Sequence, residues 1–419
     1  MAGLEGTLEE PHRARRGAIA LLYTGAVVQC MAQVAFAASA TVFKERLGFT
    51  DAQYGSIFLP QIALSALGAI AAGSLARALG LRWLLALGTL ALALSQAALL
   101  GSVLVPRGAA HPVVLLGMAL MGLGAGVTAA PMNAYPQLLF PTARESALVG
   151  LHTLNGAGLT AAPLLAGALL ARGAWILFPL LVGALNFLLF LITLRTSLPA
   201  EPRPSALGTI PDHEPVRAAV FWAFVGMAFF YALTEASFAN WAVIFLREDK
   251  GVAASDAALG LALFWAALTG GRLVVASLVL RMRPEPLWIG LPVVMLVTLL
   301  LLASAASPAV AFGLYAVAGL GCSGFFPLTM GIAARRFPHH VSWVLAMIYA
   351  ALASGVGVGS FVMGALRGRF SLSEIYLGAM VYPLACILLA AFVRSRRARP
   401  GPQDDALGPP SHEAAASLL

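Results

Sequence analysis

Apolar runs, each long enough to cross a lipid bilayer, dominate this chain. They fall at 17–43, 56–76, 83–105, 112–139, 146–170, 174–194, 217–246, 257–280, 287–306, 308–333, 341–365 and 375–393, twelve in all. A helical span needs about 20 apolar residues, and inside hydrocarbon only a helix or a closed barrel satisfies its own backbone N–H and C=O groups. Of the 419 residues, 60% are hydrophobic and 11% charged, with a mean hydropathy of +0.87. Soluble domains carry about 25% charged residues, so a globule of this composition could not cover its surface with polar groups. Disorder is excluded as well, because disordered chains are poor in apolar residues. The expectation is an all-α membrane protein of twelve transmembrane helices in two pseudo-symmetric six-helix bundles.

The division into halves rests on a composition shift and a repeat. Between Arg195 and Arg217 lie Pro199, Pro202, Pro204, Pro211 and Pro215 with Glu201, Arg203, Asp212 and Glu214. That density of proline and charge cannot continue a span, so 195–216 reads as a linker between bundles at 17–194 and 217–393. Residues 1–16 and 394–419 are polar and read as unstructured tails. Gly122-Leu-Gly-Ala-Gly…Phe140-Pro141 returns as Gly319-Leu-Gly-Cys-Ser…Phe337-Pro338, and the same offset carries Gly158 onto Gly355. Repeated halves with a site near the midplane mark secondary transporters; chance likeness between Gly-rich helices is the competing explanation.

The formal charge of +8 would point a soluble chain toward nucleic acid. In a membrane chain it reads as topology, since Lys and Arg collect on the cytoplasmic side. Seventeen fall on the side of both tails and eight on the other, with Arg272 inside a span completing the 26. Both termini are therefore expected in the cytoplasm, with the protein in the plasma (inner) membrane. The charged start before Gly17 resembles a signal peptide, but the apolar stretch behind it is too long for one and reads as a retained span. Cys30, Cys322 and Cys386 lie in apolar runs and read as buried hydrophobes.

Ionisable and polar groups inside the spans are the functional candidates, because hydrocarbon penalises them unless they are satisfied. Glu235, in Tyr231-Ala-Leu-Thr-Glu-Ala-Ser-Phe-Ala-Asn-Trp241, is the single acid within a span and a candidate proton carrier; a bonded structural carboxyl is the alternative. His152 titrates nearest physiological pH and is the second candidate, or a packing histidine. Gln29 and Gln33 share a helical face at i, i+4; their amides line a cavity or bridge helices. His152 and Asn155 likewise share a face of span five. Asn133 sits where Pro131 and Pro136 are expected to interrupt span four. Asn240 lies in the Glu235 segment, and Trp241 and Trp265 either stack on a solute or belong to the interfacial aromatic belt. Arg272 pairs with Glu235, binds an anionic group or snorkels to the interface. Phosphate-loop, zinc and nucleophile motifs are not found in the sequence, so neither an ATP-driven pump nor an enzyme is expected, and no cofactor or metal is called for.

The sequence resembles the major facilitator superfamily over residues 17–394. The loop signature between its second and third spans, Gly-x-Leu-Ala-Asp-Arg-x-Gly-Arg-Lys, reads here Gly73-Ser-Leu-Ala-Arg-Ala-Leu-Gly-Leu-Arg82, with Arg77 in place of the acid that joins a gating charge pair. Ala147-Leu-Val-Gly-Leu-His-Thr-Leu-Asn-Gly-Ala-Gly158, Gly122-Leu-Gly…Asn133 and Phe264-Trp…Thr269-Gly-Gly-Arg-Leu273 are most similar to the fucose–galactose–glucose:proton symporters. The resemblance implies a substrate-linked role for Asn155. It also implies acids in spans one and four, where this chain has Val28-Gln-Cys-Met-Ala-Gln33 and Gly126-Val-Thr-Ala-Ala130 instead.

The reading is a monomeric secondary transporter that moves a small organic solute by alternating access, a proton symporter of a sugar-like or other polar molecule. Substrate-binding residues are expected among Gln29, Gln33, Asn133, Asn155, Asn240, Trp241 and Trp265, with proton coupling through Glu235 and His152. Gating or charge-pair roles fall to Arg77 and Arg272. Protons, the solute and the lipid bilayer are its partners, and nucleic acid is not. Efflux of drugs, lipids or other amphipathic compounds is the alternative, and a non-transporting sensor is a third.

Overall fold

The computed structural model describes residues 2–199, 218–338 and 340–396. Among the described residues, twelve helices are long and apolar enough to cross a membrane. Spans one to six are Arg15–Ala38, Asp51–Ala72, Leu81–Gly101, Arg107–Leu139, Ser146–Ala171 and Leu177–Arg195. Spans seven to twelve are Ala219–Asp249, Ala254–Val279, Pro284–Ala303, Pro308–Arg336, Trp343–Leu366 and Leu372–Ser395. An even number of crossings returns the chain to its starting side, here called the terminal side.

The two bundles repeat each other in their closest contacts. Gly158 of span five lies against the Val27 carbonyl of span one, and Gly355 of span eleven lies against the Phe229 carbonyl of span seven. Gly122 of span four meets the Gln61 carbonyl of span two; Gly319 of span ten meets the Phe264 carbonyl of span eight. A Cβ at these positions would overlap a backbone oxygen, so only glycine permits the approach. Close approach through small residues is how membrane helices gain packing energy, since lipid is as apolar as leucine. The sequence repeat is thus a repeat of helix contacts.

Proline decides where some spans break. Pro60, Pro327 and Pro383 cannot donate to the carbonyls of Ser56, Ser323 and Ala379. The helix stops at each of those residues and resumes two residues later, at Phe58, Phe325 and Val381. Span four behaves differently from the expectation: its helix runs unbroken from Arg107 to Leu139 through Pro131 and Pro136. Both prolines are buried against neighbouring helices, which hold the axis where the missing bonds would loosen it.

The first helix also departs from expectation. Residues 2–16, read as an unstructured tail, continue the helix back to Ala2, consistent with their content of strong helix formers such as Leu4, Glu5, Leu8 and Glu9. Most of the 195–216 linker and residues 397–419 lie outside the described residues. The three cysteines are free and buried.

Candidate functional site

The bundles meet on the side opposite the termini. There the Tyr54 hydroxyl donates to the Asn240 carbonyl at 2.6 Å, and its ring stands edge-on to Trp241 with centroids 5.1 Å apart. Gly55 of span two packs on the backbone of Gly364 in span eleven, and Gly167 of span five on the Ser255 carbonyl of span eight. Five ion pairs lie at the same level: Lys44–Asp51 (2.7 Å), Lys44–Glu248 (3.4 Å), Arg247–Glu45, Arg367–Glu248 (3.0 Å) and Arg367–Asp249 (3.4 Å).

Toward the termini the bundles part. Asn133, His152, Arg272 and Tyr349 are exposed although each lies within a span. Each stands six or seven residues in from the terminal-side end of its span, about 10 Å at 1.5 Å per residue. Their neighbours show which way they face. On span four, Gly122 and Gly126 press on span two, while Met132 and Tyr135 pack with Ala18 and Leu22 of span one. Asn133, one heptad beyond Gly126, therefore faces the gap between spans one and two. On span eight, Thr269 packs on Gly156 of span five and Gly271 on Ser323 of span ten. Arg272 and Trp265, seven residues apart, share the face between those contacts, while Leu273 and Val274 form an exposed outer face. These residues are the candidate lining of a central cavity open to the terminal side.

Glu235 lies deeper, half-buried on span seven. Its carboxyl lies one turn from the Tyr231 hydroxyl and interacts with it, and that hydroxyl donates to the Cys322 carbonyl of span ten at 2.9 Å. Tyr231 has one proton to give. A protonated Glu235 can donate to the phenol oxygen while the Cys322 bond stays intact; an ionised one competes with Cys322 for the phenol proton. Tyr231 stacks on Phe326, which meets Tyr349 edge-on, so an aromatic wall runs from the carboxyl to the open side. Arg272 acts electrostatically on Glu235, His152 and Cys30, and forms no salt bridge with Glu235 among the described residues.

Several expected site residues are engaged or buried elsewhere. Gln29 is 4% exposed, and its amide lies in a small apolar pocket between Leu21, Leu85, Thr89, Met132 and Leu189 inside the first bundle. Residues at i and i+4 differ by about 40° around a helix, enough on a helix packed on several sides to turn Gln29 inward while Gln33 stays half-buried. Asn240 donates to the Ser360 hydroxyl of span eleven at 2.7 Å and braces two helices. Trp241 is fully buried against Tyr54, in neither cavity nor interfacial belt. Trp265 is half-buried, and its indole N–H lacks an acceptor. Asn155 is half-buried, its amide 3.4 Å from the His152 ring. Arg77 is exposed and has no acidic partner among the described residues, because arginine replaces the acid that the signature requires there.

Two features escaped the sequence reading. The ion pairs use charges that read as solvated loops, and only folding brings Glu45 and Arg247 together. Tyr349 was legible in principle: the offset that carries Gly158 to Gly355 also carries His152 to Tyr349.

Comparison with known proteins agrees with this architecture. The model of the Major Facilitator Superfamily matches residues 22–315 and 225–416. No curated protein matches the chain. Among solved structures, a bacterial homologue of the human lysosomal transporter Spinster, inward-facing and occupied, is similar at 19% identity and a TM-score of 0.68, covering 92% of this chain and 97% of that one. The nucleoside transporter NupG is similar at 14% identity and a TM-score of 0.73, covering 91% and 99%. The fucose:proton symporter FucP of E. coli is similar at 17% identity and a TM-score of 0.57, covering 90% and 98%. Fold, repeat and family match converge: the chain belongs to the Major Facilitator Superfamily and is an integral membrane transporter with twelve candidate spans among the described residues.

Proposed function

We propose that this transporter is a proton-coupled symporter of a small polar organic solute, with both termini in the cytoplasm and Glu235 as the proton carrier. The observation that carries the reading is the Glu235 carboxyl beside Tyr231, whose hydroxyl bonds the Cys322 carbonyl, next to the cavity, while the other acids of the described spans stand near span ends. A carboxyl whose bonding changes with its proton is a two-state element, and protonation biases which state is favoured. With the termini in the cytoplasm, the cavity opens inward and the ion pairs close the outer side, an arrangement named inward-facing in the Spinster homologue.

Gln33, Asn133, Asn155 and Trp265 supply hydrogen-bonding groups for the solute. Closing the cavity would strip water from these groups, so the solute must replace the bonds they lose. The test is Glu235→Gln in proteoliposomes. Accumulation driven by a pH gradient should disappear, while solute exchange, which moves no net proton, should persist. Wild-type accumulation by Glu235→Gln overturns the assignment and moves coupling to His152 or another ion.

A further inference from the structure

Glu235 and Arg272 are the only Asp, Glu, Lys or Arg side chains deep within the described spans; the others stand near span ends. A lone guanidinium at that depth needs a reason. Snorkelling along the lipid-facing side of the helix does not supply one. That side of span eight carries Leu273 and Val274, both exposed; Arg272 is on the cavity side with Trp265. Neither is Arg272 neutralised by a partner: among the described residues it forms no ion pair.

The groups around it are few. Span one presents Cys30, span five His152, span seven Glu235 and Tyr231, and span ten Cys322. On span eleven Tyr349 is exposed at a similar distance from the terminal-side end, and on span twelve Cys386 lies against the Met227 carbonyl. Glu235 is the sole acid in this set, and its carboxyl is engaged by Tyr231. With Glu235 protonated and His152 neutral, the cavity carries one uncompensated positive charge. The Trp265 indole N–H on the same face is a buried donor without an acceptor. A neutral sugar would leave the charge in place when the cavity closes. An anion would remove it by accepting from the guanidinium.

We infer that the solute is a small organic monoanion whose carboxylate is held by Arg272. The inference rests on the central cavity being the substrate site and Glu235 the proton carrier. Binding of the anion and protonation of Glu235 then support each other, since each supplies the charge that the other leaves unmatched. One proton and one monoanion together carry no charge, so transport answers to the pH gradient and not to membrane potential.

The test uses the purified full-length protein and matched acid and neutral probes: glucuronate with glucose, lactate with propane-1,2-diol, benzoate with benzyl alcohol. Thermal stabilisation and calorimetry should find an acid that binds more tightly than its neutral partner, and more tightly at pH 6 than at pH 8. Arg272→Gln should weaken that acid by roughly ten- to hundredfold, the range for losing a charged hydrogen-bond partner, with partial rescue by Arg272→Lys. Should Arg272→Gln fail to fold, wild-type proteoliposomes decide: uptake of the acid should follow an imposed pH gradient and ignore a valinomycin-set potential. Equal binding of the neutral partners, binding by none of the acids, or uptake that follows the potential overturns the inference. Glucose uptake that depends on Glu235 would overturn the anion and leave proton coupling standing. Acid binding that needs Arg272, with pH-driven uptake intact in Glu235→Gln, would do the reverse.

Discussion

Arg247 donates to the Glu45 carboxylate across the boundary between the bundles, and the arrangement is mirrored by Lys44, 3.4 Å from Glu248. The mirror is built into the chain. Val42–Arg46 and Phe245–Asp249 are both five-residue π turns, each followed by a glycine at positive φ, Gly48 at 75° and Gly251 at 67°. A shift of one turn onto the other carries Lys44 to Arg247 and Glu45 to Glu248. Each bundle thus presents a base next to an acid, and the two pairs cross. Exposed pairs of this kind contribute about 0–1 kcal/mol each, so together they bias an equilibrium without locking it.

Removing that bias should open the side opposite the termini. In Lys44→Ala with Arg247→Ala, spin labels at Ala52 and Phe370 should show a longer distance population than in the parent. Exchanging the charges, Glu45→Arg with Arg247→Glu, should restore the short distance. Raising salt should mimic the alanine variants in part, because exposed charges are screened within about 10 Å at 0.1 M.

Cavity amides and bracing amides should separate by readout. Asn155→Ala and Gln33→Ala should weaken solute binding roughly 5- to 150-fold, the equivalent of about 1–3 kcal/mol for a lost partner in a closed polar site. Asn240→Ala removes the bond to Ser360 and should instead lower the unfolding temperature with affinity little changed. Affinity and melting scans on the same preparations check both.

The glycine contacts give a stability contrast. Gly158→Val forces a side chain onto the Val27 carbonyl, and Gly355→Val onto that of Phe229. Each should cost about 1–3 kcal/mol or prevent folding, as overpacking does. At Gly270 a Cβ would meet nothing within 4 Å, so Gly270→Ala should unfold at or above the parent temperature.

Topology is open to direct chemistry. Cysteines introduced at Ala2 and Ser417 in a cysteine-free background should react with an impermeant maleimide only from the cytoplasmic side. Reaction of either in intact cells would overturn the orientation, and with it the inward direction of the cavity.

The sequence by itself determined the number of spans, the repeat and the two deep charges, Glu235 and Arg272. Each is a local property: a run of apolar residues against bilayer thickness, a glycine recurring at one offset, a charge surrounded by hydrocarbon side chains. Only the tertiary structure decided what each polar residue faces. Helical periodicity places Gln29 beside Gln33, yet neighbouring helices turn one into a bundle interior and leave the other half-buried near the cavity. Asn240 and Trp241 read as binding residues, and the structure sets them against Ser360 and Tyr54, which arrive from distant spans. Glu45 and Arg247, 202 residues apart, read as loop charges and became partners when the bundles closed on one another. A helix's sequence defines its faces, but which neighbour meets each face depends on packing among all twelve spans.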